Sequence, residues 1–273
     1  LIVILLFVPA GDGIRGDKPY VVTTFFPMYD FTRNVGGDLV DVDILFTQTP
    51  EVSSFKPSDV QKINDADVLV INGAGLEPIL DELLEASDNE DLIIVDTGRT
   101  TQTIDNDPHI WLDVETALTQ SSLIRDGLTT VDPDNAETYE TNFIAFGSAL
   151  LQLDSDIKET TATFSKRDIV VFHPAFVYFA DRYDLNIAAV FEQTPGKEPS
   201  PSDLVDIIAT VQTLGITALF AEPQFSPDVV ETIANDLNIE VRTLNPIESG
   251  NIETDTYIDL MRQNLAELQA VLQ

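Results

Sequence analysis

From Asp132 to Ser165 the chain reads DPDNAETYETNFIAFGSALLQLDSDIKETTATFS, and how this stretch is read decides how the rest of the sequence divides. It contains no glycine except Gly147, and Tyr139, Phe143, Phe146, Leu150, Leu151, Leu153 and Ile157 fall at helical spacing. Unbroken, a helix of that length reaches roughly 45 Å, longer than one small domain. Broken near Gly147 it becomes two shorter helices, although an interior glycine costs only about 1 kcal/mol. As a single rod it separates two series of short β-branched runs, each alternating with amphipathic stretches.

Upstream, strands are expected at 20–24, 40–46, 67–71 and 92–95, with helices at 27–35, 58–65 and 77–86 between them. Downstream, strands at 168–172, 186–191, 217–221 and 240–244 alternate with helices at 174–182, 201–214, 227–237 and 254–272. Alternation of this kind predicts an α/β fold. The expected architecture is two lobes, each a mainly parallel sheet flanked by helices, linked by a long rigid helix. The boundaries fall at 18–130 for the first lobe, 131–165 for the connecting helix and 166–273 for the second.

Composition narrows the partners. With 273 residues, 44% of them hydrophobic, the chain can bury substantial cores. Fourteen Lys and Arg face 47 Asp and Glu, a formal charge of −33. Such a polyanion repels nucleic acid and anionic lipid and weakly favours a cationic ligand. The plainer meaning of the charge is a solvated acidic surface suited to work outside the cytoplasm or in high salt. The absence of cysteine removes disulfides, thiolate ligands, a cysteine nucleophile and a lipidated cysteine together. Leu1 to Pro9 is almost wholly apolar and is followed by Ala10-Gly11-Asp12-Gly13, so residues 1–17 read as the remnant of an export signal and a linker. A buried first strand is the competing reading.

The chain has two histidines, in Asp107-Pro108-His109-Ile110-Trp111-Leu112-Asp113 and in Phe172-His173-Pro174-Ala175-Phe176. Neutral imidazole is the commonest protein ligand for a transition metal, and both histidines follow apolar, strand-like runs. A lone histidine is also commonly a hydrogen-bonded core residue. Two histidines with a glutamate describe a hydrolytic zinc site as well, so a metal-dependent hydrolase is the rival class. No His-Glu-x-x-His or Gly-x-Ser-x-Gly phrase is present, and Gly73-Ala74-Gly75 lacks the glycines and basic residue of a nucleotide loop.

Several phrases taken in order resemble one family. They are residues 23–31, Asn72-Gly73-Ala74-Gly75-Leu76-Glu77, the Asp107 to Asp113 phrase, His173 with Ala175-Phe176, residues 178–183, Glu198-Pro199-Ser200-Pro201, and residues 257–265. Together they resemble the solute-binding proteins of metal-specific ABC importers, the zinc and manganese group, from about Lys18 to the C-terminus. The resemblance implies two lobes joined by a long helix. It also implies a divalent ion (Zn²⁺, Mn²⁺ or Fe²⁺) held between them as transported ligand, a membrane permease as partner, export from the cytoplasm, a monomer, and no catalysis. An adhesin-like relative with weakened metal binding is the further alternative.

Carried over position by position, His109 and His173 match two of the family's histidines, and Glu222 in Phe220-Ala221-Glu222 matches a glutamate after an apolar strand. At the first ligand position, ungapped matching from Pro57-Ser58-Asp59 places Glu51, whereas a two-residue deletion matched on Phe55 places Ser53. Chemistry favours Glu51, because a carboxylate ligates a divalent ion far better than a neutral hydroxyl. Asn245 stands where manganese-type members carry an aspartate. Asp107 and Asp113 are candidates to orient His109, with helix capping the competing role for Asp113.

Overall fold

The apolar runs at 21–22 and 68–71 make the two central strands of a four-stranded parallel sheet. Its order is β2-β1-β3-β4, formed by β1 (Tyr20–Thr23), β2 (Asp41–Ile44), β3 (Val68–Ile71) and β4 (Ile93–Asp96). This computed structural model describes residues 18–192, 199–224 and 228–273. The expectations for an export remnant at 1–17, for Glu198 and for a helix start at Pro227 lie outside them. Side chains of β3 alternate as a buried strand requires: Val68 and Val70 enter one core cluster, Leu69 and Ile71 another.

Around this sheet stand α1 (Phe26–Gly36), α2 (Pro57–Asp65), α3 (Leu80–Glu85) and α4 (Val114–Val131). Helix α3 starts three residues later than its sequence suggests because Glu77 is engaged elsewhere. Its carboxylate folds back over the end of β3 and accepts from Thr24 Oγ1 at 2.8 Å, Asn72 N at 2.8 Å and Gly73 N at 3.1 Å. Helix α4 lies outside the helix ranges expected above, though its start agrees with the capping role considered for Asp113. Asp113 caps it, accepting from Glu115 N at 2.8 Å.

The rod is α5 (Ala136–Thr161), 26 residues and about 39 Å long, entered through a 3₁₀ turn at Pro133–Asn135. It runs through Gly147 without a break. A Cβ at this position would lie 2.9 Å from Leu118 Cδ1 of α4, the far end of a flexible side chain that can turn aside. Beyond it come β5 (Asp168–Val171) paired in parallel with β6 (Asn186–Val190), and β7 (Ala218–Ala221) paired in parallel with β8 (Glu240–Thr243). Strands β5 and β7 pack against each other. Helices α6 (Val177–Tyr183), α7 (Pro201–Leu214), α8 (Asp228–Leu237) and α9 (Tyr257–Leu272) complete this half. Helix α9 starts at Tyr257 because Thr256 is its cap, with Oγ1 accepting from Asp259 N at 3.1 Å.

One continuous core joins the halves. It includes Phe31 of α1, Val70 of β3, Leu150 and Leu153 of α5, Val171 of β5 and Leu265 of α9. Arg182 fastens the same junction from the surface: Nε donates to Asp154 Oδ1 of α5 at 2.7 Å and Nη1 to Glu115 Oε2 of α4 at 2.8 Å. Among the described residues no helix is long and apolar enough to cross a membrane.

Candidate metal centre

Every strand of both halves runs parallel to its partner, so the segments leaving their carboxyl ends can converge, the usual place for ligand chemistry in open α/β sheets. Glu51 lies beyond β2, His109 beyond β4, His173 two residues after β5, Glu222 directly after β7 and Glu248 beyond β8. Four of these meet. One donor atom each from Glu51, His109, His173 and Glu248 falls within 4.8 Å of all the others, and the two imidazoles and Glu248 are buried. His109 Nε2 stands 3.1 Å from His173 Nε2, 3.3 Å from Glu248 Oε1 and 3.8 Å from Glu51 Oε2. His173 Nε2 is 3.4 Å from Glu248 Oε1.

The other ring nitrogen of each histidine is held by a carboxylate. Asp107 Oδ1 takes His109 Nδ1 at 3.0 Å and the His109 backbone N–H at 2.8 Å. Glu222 Oε1 takes His173 Nδ1 at 2.6 Å and the His173 N–H at 3.1 Å, while its Oε2 accepts from Gln224 Nε2 at 3.0 Å. This differs from the expectation for Glu222: both its oxygens are engaged on the far side of the His173 ring, and the fourth place in the group belongs to Glu248. Sequence reasoning passed over Glu248 because Asn245 drew attention as the counterpart of an aspartate. Glu248 lies beyond a strand's carboxyl end, but past a left-handed turn at Ile247 that no local pattern announces. Asn245 is otherwise occupied, its Oδ1 accepting from Ile247 N at 2.8 Å. Ser53 Oγ donates to Thr49 O at 2.7 Å within its own turn.

Surrounding side chains lock the two histidine segments together. Tyr178 of α6 donates from its hydroxyl to Asp107 O at 2.6 Å. Trp111 packs 5.1 Å from the His109 ring and donates from Nε1 to Pro246 O at 2.8 Å, and Tyr257 donates to Trp111 O at 2.6 Å. Asn72 Nδ2 donates to Pro108 O at 2.9 Å.

The electrostatics are those of a crowded proton trap. Burial disfavours charge on His109, but the Asp107 and Glu248 carboxylates outweigh it and lift its pKa to about 9. Burial is likewise outweighed at His173 by Glu222 and Glu248, giving about 10. Glu248 resists burial through hydrogen bonds from both rings and falls to about 2. Burial holds Glu51 above the usual carboxylate range. Two Nε2 atoms 3.1 Å apart cannot both aim a proton at each other. In this geometry at most one proton can lie on the line between the two Nε2 atoms. Even so, Glu51 Oε2 and Glu248 Oε2 are buried without a hydrogen-bond partner.

Residues 21–271 match the family described as "ZnuA: Zinc-uptake complex component A periplasmic". The chain is 28% identical over 283 residues to a manganese-binding lipoprotein, MntA, of Halalkalibacterium halodurans, covering 97% of this chain and 94% of that protein. It is 30% identical over 280 residues to the high-affinity zinc uptake system protein ZnuA of Bacillus subtilis, covering 93% and 88%. The crystal structure of the Zn(II)-bound ZnuA-like domain of Streptococcus pneumoniae AdcA superposes with a TM-score of 0.83 at 30% identity, over 93% of this chain and 99% of that one. With the order of phrases, the parallel-sheet architecture and the long helix all in agreement, the chain belongs to the ZnuA family of metal-uptake solute-binding proteins, which is not a class of enzymes.

Proposed function

We propose that this protein is the extracytoplasmic binding component of a metal uptake system. It captures one divalent transition ion, zinc or manganese, through Glu51, His109, His173 and Glu248, and delivers it to the permease of an ABC importer. Its first lobe, residues 18–130, supplies Glu51 and His109; its second, residues 166–273, supplies His173 and Glu248. The protein acts as a monomer whose role is capture and release without catalysis.

The spacing of the donor atoms carries this reading. A tetrahedral ion with bonds of about 2.0–2.2 Å keeps its ligand atoms roughly 3.3–3.6 Å apart. Glu248 Oε1 stands 3.3 Å from His109 Nε2 and 3.4 Å from His173 Nε2. The ion would displace a proton from between the imidazoles and give the unpartnered Glu51 Oε2 a partner. Two carboxylates then balance its charge, and Asp107 and Glu222 orient the rings from behind. The names of the relatives, zinc uptake and manganese-binding, point to the same class of ion.

The test is retention. Protein loaded with zinc or manganese and desalted should keep one ion per chain by mass spectrometry, and the His109→Ala/His173→Ala variant should keep none. A parent protein that emerges without stoichiometric metal sinks the reading.

A further inference from the structure

The segment that brings Glu248 to the imidazoles turns on a residue poorly suited to its backbone. Ile247 has φ +64°, in the left-handed region that a β-branched side chain avoids, and its side chain is fully buried. Such a conformation persists only where the surroundings over-determine it, and here they are identifiable. Asn264, buried on α9, uses both ends of its amide on the backbone of Asn245: Oδ1 accepts from Asn245 N at 2.8 Å and Nδ2 donates to Asn245 O at 2.7 Å. Asn245 in turn spends its own side-chain oxygen on Ile247 N at 2.8 Å. The residue between them, Pro246, is tied to the first half through Trp111 Nε1 at 2.8 Å.

We propose that Asn245 and Asn264 are positioning residues: they hold Ile247 in its left-handed turn and so aim the Glu248 carboxylate at His109 and His173. The proposal rests on reading Glu248 as a metal ligand. Neither asparagine is needed near the ion itself. The chain of bonds runs from α9 through Asn264, Asn245 and Ile247 to Glu248, and return of Ile247 to ordinary backbone angles would redirect the residue that follows it. A side-chain acceptor at 245 is the requirement, so aspartate should serve there and alanine should not.

A double-mutant cycle separates positioning from general support of the fold. Zinc affinity is measured by chelator competition, with the melting temperature of each metal-free variant recorded beside it. Asn245→Ala should weaken zinc binding by about 10- to 100-fold, the range for groups that orient ligands. Asn245→Asp should bind close to the parent protein. In a Glu248→Gln background, Asn245→Ala should cost nothing further, because there is no carboxylate left to aim. An undiminished loss in that background, or parental affinity in Asn245→Ala, overturns the positioning role alone. Should Glu248→Gln itself bind zinc as tightly as the parent, the ligand reading of Glu248 falls and positioning falls with it. If Asn245→Ala does not fold, Asn264→Asp, which keeps the acceptor and loses the donor, runs the same cycle.

Discussion

A proton and a metal ion compete for the same pair of imidazoles, and that competition sets two pH dependences of opposite sign. His109 and His173, raised to about 9 and 10 by their carboxylates, keep the imidazole pair holding an extra proton throughout the neutral range. Zinc must expel it, so affinity should climb with pH by up to tenfold per unit, about two orders of magnitude between pH 5 and pH 7.5. Titration calorimetry giving equal affinities at the two pH values would refute this. The metal-free protein should behave the other way. The two histidines favour folding fully below about 6.5 and lose that contribution as pH rises through 9 and 10. Buried Asp30 and Glu77, raised to about 6 and 7 by burial, lose theirs between the ordinary carboxylate value and those figures. Glu248, lowered to about 2, subtracts only as pH falls below about 4.5. The metal-free melting temperature should therefore decline from pH 5 to pH 9, which scanning calorimetry can check. Glu51, His109 and His173 were legible as residues of interest from their phrases, and Glu248 was not. Ile247 shows why: its strain of about 1–3 kcal/mol is comparable to the roughly 1.5–3 kcal/mol gained by burying its side chain. No propensity reading foresees a turn held by that balance.

Elements were legible where a local pattern suffices. All eight strands among the described residues lie inside or beside the stretches expected from β-branched runs, and α7 (Pro201–Leu214) spans the range expected for it, with a capping box at Ser200. Helix α4 falls outside the ranges expected from the sequence even though Val114, Ala117, Ile124 and Leu128 line its buried face at helical spacing. Ala117, Ser121 and Gly127 are buried there, and a Cβ on Gly127 would meet Val95 Cγ2 of β4 at 2.3 Å. Gly127 lets α4 approach β4 closely at this point. Gly127→Ala offers the check. Alanine gains about 1 kcal/mol of helix propensity, but overpacking against a stiff β-branched neighbour costs about 1–3 kcal/mol. A net loss of about 1 kcal/mol lowers the melting temperature by roughly 2–4 °C in a protein of this size. An unchanged or higher value would mean that β4 yields to α4 more readily than the packing implies.

At the scale of the whole molecule, a charge of −33 opposes the compact state that the cores favour. Screening shortens the Debye length to about 3 Å near 1 M salt, so the melting temperature of the metal-free protein should rise steadily from low to molar sodium chloride. A flat response would show that the acidic groups are spaced widely enough not to oppose folding. The core that runs unbroken from α1 through α5 to α9 limits how far the halves can separate, so loading is expected to involve small adjustments rather than wide opening. The sequence by itself determined the α/β alternation, the parallel strands, the long helix and the two histidine phrases, because each depends on periodicity or on neighbours a few residues away. Only the tertiary structure decided that Glu248 joins the imidazoles while Glu222 supports one from behind. Glu51 and Glu248 are almost two hundred positions apart in the chain, and which carboxylate reaches a shared point depends on how three parallel sheets set their carboxyl edges against one another across a common core.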